Sequence, residues 1–353
     1  MGKNSFRTLS IFKSEKAKKR TNRRRNPISR YYKKNLFSLS SISRYSPAES
    51  NQILFIRAPK NFSMTLNTEG MIRFFMNVDK KIRTGRPVYL DMANITVLHE
   101  DAILYLISRL DFYELTKLNA SIQGNLPNFE PCRILLLQSG FLKYVQTNIT
   151  HEAENDNIFP IHEGSSAEGP IVSDVINFVK RFIDFQDYAE RFYGPIMECI
   201  INTGAHAYSR NASYSKWWMI AIPNNNNQTI HFTVLDNGYG IPNTVRKNYA
   251  EIIIRHFGKL NYLSTGIDNK LIVSGLVGEF RTRSGLDHRG KGLPSIFDLT
   301  TIPYIDNLRI ISSHGYVLTG SNLTILDSVN LRNKFHGTLI SWDFIKIEDK
   351  KDG

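Results

Sequence analysis

Phe232-Thr233-Val234-Leu235-Asp236-Asn237-Gly238-Tyr239-Gly240-Ile241-Pro242 is the stretch from which the second half of this 353-residue chain is read. Its opening residues are apolar or β-branched, as in a strand covered on both faces. The strand ends on a carboxylate followed by two glycines. A carboxylate placed there can accept a hydrogen bond from an exocyclic base amine, and the glycines let a flat ring approach the backbone. Upstream, Lys216–Ile222 and Thr229–Asp236 form a hairpin around the polar stretch 223–228. Downstream, strands are expected at Leu308–Ser312, Tyr316–Leu318 and, after Gly337-Thr338, at Leu339–Phe344.

Two further segments carry chemistry. Glu198 and Asn202 lie four residues apart in a helical stretch from about Val172 to Ala207, expected to break near Gly194-Pro195. That spacing projects both side chains from one face, where a carboxylate and an amide oxygen suit water activation and a hard cation. Gly285-Leu286-Asp287-His288-Arg289-Gly290-Lys291-Gly292-Leu293-Pro294 then opens a helix running to about Leu299. Gly-rich amides ahead of a helix, with Arg289 and Lys291 adding positive charge, read as a phosphate-binding loop without Walker A spacing.

In this order the three segments resemble the N, G1 and G2 boxes of the GHKL ATPase superfamily, to which gyrase, Hsp90-type chaperones, histidine kinases and MutL proteins belong. The resemblance covers about residues 172–346. It implies a Bergerat-type α/β sandwich over 171–349, with a mixed sheet, helices on one face and an ATP lid at about 243–287. It further implies ATP and Mg²⁺ as cofactors, Glu198 as general base and Asn202 as the Mg²⁺ ligand. Asp236 would bind the adenine amine with Thr338 in support, and Gly238 and Gly240 would shape the adenine wall. The amides of Gly290, Gly292 and Leu293 would hold the triphosphate. The lid contains Arg246, Lys247, Arg255, Lys259 and Lys270 and is therefore basic. His206 completes a Glu-x-x-x-Asn-x-x-x-His pattern similar to that of anti-sigma-factor serine kinases. The departures are Thr203 where alanine is common and His288 where a first glycine is usual.

Residues 49–150 alternate short strands (Ile53–Ile56, Val88–Met92, Ala120–Gln123) with helices (Thr68–Ile82, Asp101–Leu118, Cys132–Gln138). This is the pattern of a small α/β domain with at least one parallel strand pair. The run from Leu90-Asp91 to Ile134–Phe141 resembles the STAS domain of anti-anti-sigma factors. Asp101 falls where that family carries a phosphorylatable serine, and it also suits a helix N-cap. Residues 151–170 are acidic, polar and Gly/Ser-containing, and read as a linker.

The formal charge of +13 is almost wholly N-terminal, since residues 1–35 carry thirteen Lys and Arg against the single acid Glu15. Residues 1–48 read as an unstructured basic arm suited to nucleic acid or an anionic surface, with Tyr31 and Tyr32 available for stacking. Two cysteines, Cys132 and Cys199, make neither a disulfide framework nor a zinc motif, which points to a reducing, cytoplasmic setting. No run of about 18 apolar residues suggests a membrane span. Three functions compete. The first is a slow ATPase that acts as a conformational switch on a protein partner. The second is an anti-sigma-type serine/threonine kinase acting on a STAS partner. The third is a non-catalytic nucleic-acid-binding scaffold. Many relatives in the resembling superfamily work as dimers, which adds a homodimer to the expectations.

Overall fold

The computed structural model describes residues 36–38, 53–115, 121–147, 149, 157–205, 216–224, 228–280 and 292–347. Most of the expected arm, His206, and Arg289, Gly290 and Lys291 of the expected phosphate loop lie outside the described residues. The protein is a mixed α/β molecule. In chain order its first part holds β1 (Leu36–Ser38), β2 (Leu54–Arg57), β3 (Asn61–Phe62), α1 (Thr68–Ile82), β4 (Val88–Asp91), β5 (Val97–Leu98) and α2 (Glu100–Leu115). β6 (Ile122–Asn125), α3 (Glu130–Gln138) and β7 (Gln146–Thr147) complete it. The second part runs β8 (Phe159–Gly164), α4 (Gly169–Lys180), α5 (Ala189–Ala205), β9 (Trp217–Asn224), β10 (Thr229–Asp236) and α6 (Ile241–Asn248). It continues with α7 (Ala250–Phe257), α8 (Lys259–Leu263), α9 (Asp268–Leu276), α10 (Gly292–Asp298), β11 (Ile305–Thr319) and β12 (Ile325–Ile345).

α1 forms where the sequence places Met71, Phe75, Val78 and Ile82 on one stripe, all of them buried. Glu69 in its first turn and Lys80 and Lys81 in its last complement the helix dipole. The first sheet has the order β2-β4-β6-β1-β7. β2/β4 and β4/β6 are the parallel pairs that the strand–helix alternation implies. β1 enters antiparallel to both β6 and β7, so residues 36–38 belong to the sheet and not to an unstructured arm. The reason is Phe37, which is buried edge-on against Phe141 with ring centres 5.2 Å apart. Gly124 supplies its socket, since a Cβ there would lie 2.5 Å from the Phe37 ring.

The second sheet, β11-β12-β10-β9-β8, is antiparallel at every pairing among the described residues, not mixed. The expected linker is overturned at Phe159–Gly164, which forms the β8 edge with Phe159 and Ile161 turned inward. The expected helix break also lies elsewhere. α5 runs unbroken through Gly194 and Pro195, whereas the chain leaves helix between α4 and α5. There Phe185 turns in to pack on Phe192 at 4.7 Å and Phe344 at 6.0 Å. The strands expected at 308–312 and 316–318 are one strand, β11.

Each face of the second sheet has its own core. Met219, Phe232, Val234, Trp342 and Phe344 point to α4, α5 and α10. Trp218, Ile220, Leu235, Ile311 and Leu339 point the other way, and they join the core of the first part. Helices of the second part therefore cover one face only, as expected, but the opposite face is closed by α2. That helix is buried from Glu100 to Leu110 without interruption. Glu100 accepts from the Thr233 hydroxyl at 3.4 Å, the Ser108 carbonyl from Asn237 at 3.2 Å, and Asp111 from Lys216 at 2.8 Å. α1 also reaches across, with Glu69 accepting from the Arg332 N–H at 2.6 Å and the Asn333 amide at 2.9 Å. Asp101 caps no helix. It is buried and accepts from the Met64 and Thr65 N–H groups at 2.9 and 2.8 Å, pinning the turn that leads into α1.

Because one core crosses both parts, they are expected to unfold together. All three tryptophans, Trp217, Trp218 and Trp342, lie in the second sheet. Leu104→Ala, at a fully buried position of α2, should cost about 2–5 kcal/mol. The loss should appear equally in tryptophan fluorescence and in far-UV circular dichroism. A tryptophan transition unmoved by this substitution would mean that the two parts fold independently.

Candidate functional site

The C-terminal end of β10 faces the middle of β12, with Asp236 directly opposite Thr338. Both are buried. The ladder therefore brings together two residues a hundred positions apart that the sequence reading had paired. Around them the backbone follows two glycines. Gly337 has φ +92°, and a Cβ there would lie 1.9 Å from the Asp236 carbonyl oxygen. Gly240 has φ +85°, and its Cβ would come within 2.9 Å of the Ser312 hydroxyl. Only glycine meets both conditions.

Ser312 ties these pieces together. Its hydroxyl accepts from the Ile241 N–H at 2.9 Å and lies 3.2 Å from the Gly337 carbonyl and 3.0 Å from the Thr338 hydroxyl. The sequence reading missed it. Its signal was a Ser312-Ser313 pair in the midst of an apolar strand, where a buried hydroxyl needs a polar partner. The Asp236 carboxyl accepts from the Gly238 N–H at 2.6 Å. Burial pushes this acid up to about 7, and the hydrogen bonds from Gly238 and Thr338 oppose that rise. Tyr239, between the two glycines, is half exposed at the rim.

α5 brings Glu198 to the same region. Glu198 is half-buried, and that burial raises its carboxyl. Cys199, next on the helix, is buried, and its thiol is pushed up first by desolvation and then by the charges of both Glu198 and Asp236. Asn202 follows one turn further along α5. α10 packs along α5, which brings Gly292 and Leu293 to this side of the sheet. Leu293 is wedged toward α9, where a Cβ on Gly275 would meet it at 2.8 Å.

Of the basic residues in the expected lid segment, Arg246 turns inward: its guanidinium donates to the carbonyls of Tyr262 and Ser264 at 3.1 and 2.5 Å and pairs with the fully buried Asp268 at 2.6 Å. It folds α6 onto α9. Lys247, Arg255, Lys259 and Lys270 carry no ion pair with an acid among the described residues. No family model matches the chain, and no curated protein matches it in sequence.

Two outcomes check this geometry. Gly337→Ala should destabilise the fold by about 3 kcal/mol or more through the left-handed backbone and the clash with Asp236, and Gly240→Ala by less. The comparison is made by chemical denaturation. For Asp236, folding favours the protonated form, so its contribution to stability is complete below the ordinary carboxylate range and is lost as pH rises through about 7. Asp236→Asn should therefore gain on the order of 2 kcal/mol over the wild type at pH 8 and nothing at pH 4. An equal difference at both pH values would mean that the acid is not held in a desolvated site.

Proposed function

We propose that the second part of the chain binds ATP with Mg²⁺ and uses the nucleotide as a conformational switch toward a protein partner, hydrolysing it slowly. The observation that carries this reading is the seat of Asp236. It is a buried carboxyl at a strand end, flanked by backbone that no side chain could occupy and supported by a hydroxyl pair, Thr338 and Ser312. That is the donor and acceptor set a planar heterocycle with an exocyclic amine requires. A carboxylate, hydroxyls and glycine backbone do not suit an anionic group, so the phosphates would lie toward α5 and α10.

In this reading Asp236 accepts from the adenine amine, Thr338 holds the carboxyl in place, and Gly238 and Gly240 form the wall under the ring. The amides of Gly290, Gly292 and Leu293 hold the phosphates, with Arg289 and Lys291 beside them. Glu198 takes the proton of the attacking water. Its raised affinity for a proton, caused by burial, suits a base working near neutral pH. Mg²⁺ would supply neutralisation of the phosphate charge, and Asn202 is the residue that the resemblance gives to hold it.

The test is calorimetric titration of ATP and ADP with Mg²⁺ into the full chain, with phosphate release followed in parallel. The wild type should bind, and Asp236→Ala should weaken binding by about 100-fold, near 2.7 kcal/mol. Glu198→Ala should bind within about threefold of the wild type and lose about 100-fold in phosphate release. A wild type that binds no adenine nucleotide would overturn the reading.

A further inference from the structure

Both walls of the Asp236 cradle hang from one turn of α2. On the first wall, the Asn237 amide donates to the Ser108 carbonyl at 3.2 Å, immediately beside Asp236 and Gly238. On the second, the His336 N–H donates to the Tyr105 hydroxyl at 3.4 Å, and the Tyr105 ring stacks on Phe335 with centres 4.5 Å apart. Gly337 and Thr338 follow directly. The turn is itself tied, because the Ser108 hydroxyl donates to the Tyr105 carbonyl at 2.9 Å. On its far side Tyr105 meets the Phe75 ring of α1 edge-on at 4.7 Å. Tyr105 and Ser108 are fully buried, whereas Asn237 is half-buried and His336 exposed, so each bond runs from a site residue at the surface to an anchored partner inside the protein.

We infer that Asn237 and Tyr105 are positioning residues that couple the Asp236 site to the first part of the chain, with α2 as the lever. A displacement of α2 by about 1 Å takes both hydrogen bonds beyond bonding range. It would move residues 236–238 and 335–338 together, because both pivot on the same turn. Coupling of this kind is reciprocal: whatever shifts α2 changes occupancy of the site, and occupancy of the site fixes α2. The first part of the chain is then the input end of the molecule. A partner seated on it alters ligand affinity at Asp236 without touching the site.

Amide hydrogen exchange on the full-length chain without nucleotide tests the coupling. The variants are Tyr105→Phe, which keeps the ring and removes the hydroxyl, and Asn237→Ala. The readout is each variant's effect on the wall it does not touch. Tyr105→Phe should speed exchange of the Gly238 amide, which bonds Asp236, at least tenfold. Asn237→Ala should do the same for the His336 amide, whose partner Tyr105 is intact. If each variant loosens only its own wall, the inference is overturned and the contacts are packing alone.

A second measurement rests on the reading of the site as an ATP site. There both variants should weaken ATP binding about tenfold while melting within a few degrees of the wild type. Should the wild type bind no nucleotide, that reading fails, and the exchange experiment still decides the coupling.

Discussion

A helix with no polar face has to be covered on all sides, and α2 meets that requirement by lying between two sheets. From Ala102 to Ile107 every residue is apolar and fully buried, so no orientation against a single sheet would satisfy it. The first sheet and α1 take one side. The second sheet takes the other, through Trp218, Ile220 and Leu235. The second sheet in turn acquires a cover for the face its own helices leave open. β9, Phe232–Asp236 of β10 and Gly337–Phe344 of β12 are therefore buried on both faces, which explains why β9 reads as a continuous apolar run instead of alternating.

Several polar groups in this seam are paired. Arg109 is almost wholly buried and bonds Asp79 at 2.8 Å, while Tyr113 donates to the same carboxylate and the Phe112 ring lies under the guanidinium. His231 bonds Asp343 at 2.5 Å. Burial alone would lower this imidazole, but that bond and the charge of Glu100 leave it raised. Glu100 itself is pushed up by desolvation and by the neighbouring Asp101. Removing one member of such a pair leaves a buried charge without compensation, so these contacts fix how the two parts meet more than they add to stability. The same logic holds Arg246 on Asp268, where the ion pair folds α6 against α9.

The candidate site depends on the seam without being part of it. Its chemistry lies at the end of β10 and the middle of β12, and its shape comes from backbone that passes too closely for a side chain. Both strand segments are fastened from behind by α2. Neither sheet by itself would hold Asp236 in a desolvated position, because the surface behind the cradle would then be open to water.

Much of this was legible in the chain. Thr68–Ile82 and Thr229–Asp236 are read correctly to the residue because their periodicities, 3.6 and 2, are local properties of consecutive side chains. The nearness of Asp236 and Thr338 is implied by the GHKL resemblance and not by any local pattern, and the β10–β12 ladder sets the two residues opposite each other. The sequence also held, unread, the apolar ring of Ile103-Leu104-Tyr105-Leu106-Ile107 that marks a helix buried all round. Other features had no local signal. Phe37 becomes a strand residue only because Gly124 leaves a socket for it, and the polar stretch around Phe159 becomes an edge strand only because β9 offers an unpaired backbone. Arg246 turns inward only because Asp268, buried elsewhere, needs a cation. Side-chain patterning along the chain determined which segments are helix and strand and that β10 ends on a carboxylate followed by glycines. Contacts between residues far apart in sequence decided that the two parts share one core, because the free energy of burying a face depends on what covers it.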